Sequence, residues 1–501
     1  MKIGKMNYRN GATRRLRQPI PFDAETAFYR RRLQMLSNTF RFLTMLAMLL
    51  SIVSCPVGIY AQDGDDGDDP PLGGIEINTD GVFQSKLFYD LSGDLDRQRM
   101  QAAQSNLNKD VQKSSTLRKI SLNRLEAAFK AHKTTGKPIP PEMNYLAGIT
   151  RLTHVFYYPE TKDIVLAGPA EGFFRTAQDR IVGMKSGEAV LQLEDLIVAM
   201  RAFAPNSNPT RTISCSIDPT QAGLAGLRQA HKQAQQQINA NRGFNGISEN
   251  QIASFFQEAM GMQKITVKGV SPKTHFAQVL VDADYHMKLI GIGLERPPVR
   301  ITSYLDKAKS GSTNSLQRWY FRPNYDYVKV TDDEMAMQLD GGGVELVGED
   351  ELVTADGKRR GTGKASRASR TFCSSFTKNY DALAKKMPVY AELRNLIDMS
   401  VAAAFIHEMD FYGEANWNME YFGNEASYPI ERFNAPTKVA PAINAVWKNG
   451  LLFTPIGGGV KIQPRVALSS DRMKTDESGA ITETRKSINT AALKSDQWWW
   501  D

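Results

Sequence analysis

Cysteine is scarce in this chain: three residues in 501, at positions 55, 215 and 373. That scarcity excludes a disulfide-stapled scaffold, and no C-x-x-C pair is present to suggest a metal or redox motif. Other short strings with known chemistry are missing too. There is no G-x-S-x-G turn to expose a nucleophilic serine, no G-x-x-x-x-G-K-[ST] loop to cradle phosphates, and no H-E-x-x-H helix. His407-Glu408-Met409-Asp410 begins like a zinc-binding helix but lacks the second histidine four residues on, where the metal needs it. The triplets Gly341–Gly343 and Gly457–Gly459 lie between apolar runs and precede strand-like sequence. They read as hairpin turns and cannot present helix N-terminal amides to a phosphate. No cofactor is expected from any of these features. With 42% hydrophobic and 23% charged residues, collagen and polytopic membrane proteins are excluded as well.

Charge is present but unevenly placed. The net value is +8, which taken alone points to a polyanion-binding protein. Residues 1–61 hold ten Lys and Arg against Asp23 and Glu25, so they carry the whole excess; the remaining 440 residues balance at 52 basic and 52 acidic side chains. Nucleic acid is therefore not an expected partner of the rest of the chain.

The first 61 residues read as a basic leader with a signal peptide. Phe42 to Gln62 is a run of 21 uncharged residues, strongly apolar through Val53, flanked by Arg41 and Asp63. Ile59-Tyr60-Ala61 offers a cleavage site, and Met35 would start a compact signal ending at Ala61. This makes the protein periplasmic, envelope-bound or secreted. Two other readings stay open: a lipoprotein acylated at Cys55, with Pro56 against it, and an uncleaved anchor. Residues 62–85 follow as an acidic Gly/Pro linker. Their Asp/Gly spacing lacks the closing Glu and the flanking helices of a calcium loop.

Beyond the linker, helical and strand-like periods alternate, which predicts a mixed α+β fold of short strands and hairpins packed with helices. The divisions expected are 86–210, 211–355, a basic flexible loop at 356–372, and 373–501 with a Trp-rich tail. Residues 94–133 read as helical, with Leu117, Ile120, Leu122, Leu125 and Phe129 in one apolar stripe. Thr153–Tyr158 and Asp163–Ala167 read as a hairpin about Pro159–Lys162. Helices are expected at about 191–204, 218–240 and 249–260, strands at 213–217 and 264–268, and a helical block at 374–410 broken at Pro388.

Three places carry candidate chemistry. In Val281–Leu289 a strand would put Asp282, Asp284, His286 and Lys288 on one face; two carboxylates and an imidazole there could hold a divalent metal or act as an acid/base set. A helix would leave only Asp282 and His286 facing together, and a solvated strand face needs no chemistry at all. The run 357–370 contains Lys358, Arg359, Arg360, Lys364, Arg367 and Arg370 with no acid, a patch for an anionic polymer or else a plain loop. No aromatic residue is interleaved there to stack on a base. Trp498–Trp500 either docks on its own chain or meets a partner, since that much apolar surface is costly to leave wet. In an oxidising compartment Cys215 and Cys373 could pair, or both could be buried thiols.

Several strings resemble an exported bacterial family, found mainly in planctomycetes and catalogued as a domain of unknown function. They are Tyr158–Gly172, Cys215-Ser-Ile-Asp-Pro-Thr220, Thr274–Leu294, Arg318-Trp-Tyr-Phe321 and the helical block around Tyr380–Ile406, so that the resemblance runs from about 120 to 465. It implies export and one integrated unit, and no activity, cofactor or catalytic residue. The expectation is a binding or structural component of the periplasm or envelope, with envelope polysaccharide, a lipid surface or a protein as partner. The alternative is a metal-assisted hydrolase using Asp282, Asp284 and His286.

Overall fold

The computed structural model describes residues 74–501 apart from 87–89, 91, 240–247, 309–314, 354–358, 362, 448–450 and 454–455. The leader, the signal, lipoprotein and anchor readings, residues 62–73 of the acidic linker and Lys358 lie outside the described residues. The described part falls within one compact unit, Pro70–Asp501.

Its fold is α+β. Two large sheets share a single hydrophobic core, which draws Cys215, Trp319 and Val460 from one sheet and Val155, Ile164 and Leu166 from the other. The larger sheet has nine strands. From edge to edge they are Gly74–Ile77, Val82–Lys86, Lys438–Val439, Gln263–Lys268, Ile213–Asp218, Ile456–Ile462, Ser315–Asn324, Gly343–Val353 and Arg359–Gly361. The smaller has seven: Met473–Thr475, Tyr327–Val330, Ala336–Asp340, His154–Tyr158, Asp163–Ala170, Ser115–Ser121 and Trp499–Trp500.

Period-2 burial explains the central strand Ile213–Asp218: Ile213, Cys215 and Ile217 are buried, while Ser214, Ser216 and Asp218 face outward. The helix His275–Gly291 packs on this strand and on Ile456–Ile462. Its other side meets the helices Leu193–Ala202 and Pro388–Glu408. Pro388 opens the latter at a position where its missing N–H costs nothing. Every residue from Val389 to Ile406 in it is buried, so this helix is enclosed all round rather than amphipathic.

The hairpin about Pro159–Lys162 forms as expected, with Tyr158 opposite Asp163. The helices Leu193–Ala202, Gln221–Asn239 and Glu249–Met260 and the strand Gln263–Lys268 also lie where the sequence places them. Five expectations are corrected. Residues 94–133 hold the helix Asp94–Asn106, the strand Ser115–Ser121 and the helix Leu122–Thr134 instead of one helical run. Part of the predicted linker is the hairpin Gly74–Ile77/Val82–Lys86, because Phe83 is buried in the core. Gly341–Gly343 is not a hairpin turn; Ala336–Asp340 belongs to the smaller sheet and Gly343–Val353 to the larger, so the chain changes sheets there. Gly457–Gly459 lies inside a strand, where Cβ atoms on Gly458 and Gly459 would come within 1.8 Å of the carbonyl oxygens of Trp319 and Cys215. The stretch 356–372 is not simply a flexible loop: it contains the edge strand Arg359–Gly361 and, capped by Ser366, the start of the helix Arg367–Lys378.

Candidate functional site

Residues 281–289 are helical, not a strand. Thr274 caps the N-terminus of the helix by accepting a hydrogen bond from the amide of Ala277 at 3.2 Å. Phe276, Val279, Leu280, Ala283, Met287 and Ile290 then recur at three- and four-residue spacing and are all buried. The apolar–polar alternation in this stretch is a coincidence of a helix enclosed on both sides. Helical geometry splits the predicted trio. Asp282 and His286 share a face one turn apart, with 3.4 Å between Asp282 Oδ1 and His286 Nε2. Asp284 lies on another face and pairs with Lys288 at 2.7 Å, and Lys288 also donates to the carbonyl of Ile217 at 2.9 Å. Burial lifts the Asp284 carboxyl to about 6 against the pull of that lysine. The three candidates therefore do not converge on one point, and no group of three His, Cys, Asp or Glu among the described residues is placed to hold a metal ion.

What gathers instead is a buried charge network from four separate segments. Arg180, just before the short strand Ile181–Gly183, donates to Oδ2 of Asp282 and to Oε2 of Glu392 in the first turns of the long helix. His286 Nδ1 lies 2.5 Å from Glu295 Oε2, and its Nε2 lies 3.1 Å from Ser85 Oγ on the strand Val82–Lys86. Burial disfavours the imidazolium, but Asp282 and Glu295 together outweigh it and push the pKa of His286 up to about 10. Burial works against the Asp282 carboxylate in the same way, yet His286 and Arg180 pull it down to about 2. Glu392 is raised by burial in spite of Arg180. At the first turn of the helix a second pair repeats the pattern: His275 Nδ1 sits 2.9 Å from Asp195, which overcomes burial and lifts the histidine to about 9.

This network floors a cavity of about 230 Å³. Ser85, Arg180, Asp282, His286 and Glu295 line it; Lys86, Arg296 and Lys386 add exposed cations, and Met387–Val389 supply an apolar wall. Such a size is below the roughly 300–1,000 Å³ of drug-sized pockets and suits a small polar ligand.

Residues 215–304 match the family model described as a protein of unknown function (DUF1598). No curated protein and no solved structure matches the chain. The DUF1598 match is narrower than the stretch over which the resemblance runs. It nevertheless holds the strand from Cys215, the helix with Asp282 and His286, and Glu295 and Arg296 of the cavity. Ser85, Arg180 and Glu392 come from outside the DUF1598 segment, so the cavity is completed by the rest of the fold. No local pattern marks Arg180 or Ser85. Glu392 did carry a signal: with Arg394, Asn395 and Asp398 it interrupts an otherwise apolar helix, and buried charges need partners.

The other candidates resolve separately. Cys215 and Cys373 are free and buried, so the pairing is corrected; the Cys215 thiol donates to the carbonyl of Leu280 at 3.3 Å, and burial pushes Cys373 up to about 12. Trp499 and Trp500 pair with Ile120 and Lys119, and Trp498 is buried, so the tail docks on its own chain. Fully buried Arg118 lies 4.9 Å from the centre of the Trp499 ring and 2.8 Å from Asp501. His407 and Glu408 end the long helix, where Glu408 pairs with Arg465 at 2.8 Å. Of the basic run, Arg359 and Arg360 belong to the edge strand, and Lys364, Arg367 and Arg370 are exposed.

Proposed function

We propose that this is an exported, non-enzymatic component of the cell envelope that holds a small anionic ligand in the cavity beside Arg180 and His286. Export rests on the signal-like leader. The binding reading is carried by one observation: the charged groups of the floor are clamped to one another. Arg180 is held between Asp282 and Glu392 and His286 between Asp282 and Glu295, so the floor is rigid and pre-organised. With His286 protonated, Nδ1 donates to Glu295 and Nε2–H points to Ser85 and Asp282, which leaves the Ser85 hydroxyl proton to turn toward a ligand oxygen. Exposed Arg296 and Lys386 at the cavity add electrostatic attraction for an anion, while Lys86 is paired with Glu76.

A second reading, hydrolysis, is favoured by one geometric fact. The order Ser85–His286–Glu295, at 3.1 and 2.5 Å, has the connectivity of a nucleophile, base and orienting acid. It stands second because an imidazole held protonated up to about 10 cannot take the serine proton at neutral pH.

One experiment separates the two. The purified full-length chain is titrated by calorimetry with small carboxylates such as uronic acids, and in parallel exposed to a serine-directed fluorophosphonate at pH 7. Binding that disappears in Ser85→Ala and Lys386→Gln, without covalent labelling, supports the ligand-holding reading. Labelling at Ser85 at pH 7 overturns it in favour of hydrolysis. No binding of any small anion overturns the proposed function itself.

A further inference from the structure

The helix Arg367–Lys378 turns two different faces to its surroundings. Ala368, Phe372, Cys373 and Phe376 are buried, and Phe372 and Phe376 pack with Trp319 and Tyr390. The opposite face carries Arg367, Arg370, Ser374 and Lys378, all exposed and spaced by three or four residues, so they form one stripe. With Thr371, Ser375 and Asn379 they line a shallow trough of about 710 Å³. Cations alternating with hydroxyl and amide groups make a surface that can both neutralise acid groups and exchange hydrogen bonds with neutral hydroxyls.

Two short stretches of chain connect the trough to the cavity. Arg296 and Pro298 line the cavity, and four residues further on the amide of Thr302 donates to Ser375 Oγ in the trough at 3.0 Å. Exposed Arg300 lies between them. In the other stretch Lys378 lines the trough and Lys386 lines the cavity, with only the short helix Tyr380–Ala384 between. Six peptide units from Arg296 to Thr302 span at most about 20 Å, so one extended molecule could touch both places at once.

We infer that the cavity and the trough form one site for an acidic polysaccharide: one uronate-like residue enters the cavity, and the following residues lie along the stripe of Arg367, Arg370 and Lys378. The inference rests on the anionic-ligand reading of the cavity and extends it to a polymer. A lipid surface fits less well because the helix keeps its phenylalanines in the core and offers no apolar side chain for insertion into a bilayer. Nucleic acid fits less well because no aromatic ring faces the trough to stack on a base.

The test compares galacturonic acid monomer, polygalacturonate, neutral dextran and phosphatidylglycerol vesicles on the full-length chain at low and high salt. The triple variant Arg367→Gln/Arg370→Gln/Lys378→Gln changes only exposed side chains, and its melting temperature reports whether folding is intact. Polygalacturonate is expected to bind at least about tenfold more tightly than the monomer, with salt weakening the polymer more. The triple variant should lose that gain and keep monomer binding, whereas Lys386→Gln should weaken both. Equal affinity for polymer and monomer, or a triple variant that binds polymer normally, overturns the polymer site while leaving the cavity reading in place. Loss of monomer binding to the unaltered chain overturns the reading beneath it. Binding to vesicles but not to polygalacturonate assigns the stripe to lipid and overturns the inference.

Discussion

Arg180 has an 11% exposed side chain between Asp282 and Glu392, which are 0% and 5% exposed. An ion pair so deep contributes little net stability when complete, because desolvation offsets most of the attraction, but removing one partner strands the other's charge. Arg180→Met should therefore destabilise the fold by about 3–5 kcal/mol. Adding Glu392→Gln to that variant should recover part of the loss, since it removes the stranded acid, whereas Asp282 keeps His286. Denaturant unfolding of the single and double variants checks both statements. A cost below about 1 kcal/mol for Arg180→Met would mean that the charges are not closed on one another as described.

Among elements, the strand Ile456–Ile462 shows most plainly what a sequence conceals. A glycine triplet is the ordinary signature of a turn, and nothing local distinguishes one that lies inside a sheet. The packing makes the distinction: Gly458 has a φ of +148° and an added Cβ would come within 1.8 Å of the Trp319 carbonyl oxygen. Gly458→Ala should cost roughly 2–4 kcal/mol. Gly342→Ala, at a position with nothing within 4 Å of the added atom, should stay within about 0.5 kcal/mol. Thermal or denaturant midpoints of the two variants test the contrast, and equal midpoints would refute it. The same logic separates what was legible from what was not. Strands and helices with one wet face, such as Ile213–Asp218 and Glu249–Met260, could be read from their period. The helix His275–Gly291 was masked, because Asp282, Asp284, His286 and Lys288 alternate with apolar residues as in a strand, and the partners that let them be buried, Arg180 and the Ile217 carbonyl, lie far away in sequence. Asp282 and His286 were recognisable as candidates; Arg180, more than a hundred residues earlier, was brought to them only by the fold.

For the molecule as a whole, the titration of buried groups sets the direction in which stability changes with pH. His275 and His286 are raised to about 9 and about 10 in the folded chain, against about 6.5 when unfolded. Between these values the folded state holds protons that the unfolded state has released, so stability must fall as pH rises. The histidine contribution is complete below about pH 6.5 and is lost as pH climbs through 9 to 10. Cys373, raised to about 12, adds to the fall in the same sense above pH 9. A melting temperature that declines steadily from pH 7 to 10, with a shallower decline in His275→Gln, is the expected result. A melting temperature that rises over this range would show that neither histidine is held as an imidazolium.

The order of strands also governs when the molecule can become itself. Val82–Lys86 pairs with Lys438–Val439, and Ser115–Ser121 pairs with Trp499–Trp500. A ribosome adding about 5–20 residues per second needs roughly 20–70 s to travel from the first member of either pair to the second. During that interval each early strand has a neighbour on one side only, Gly74–Ile77 or Asp163–Ala170, and its other edge is open. An unpaired edge of this kind is a template for pairing with another chain until its own late partner is made.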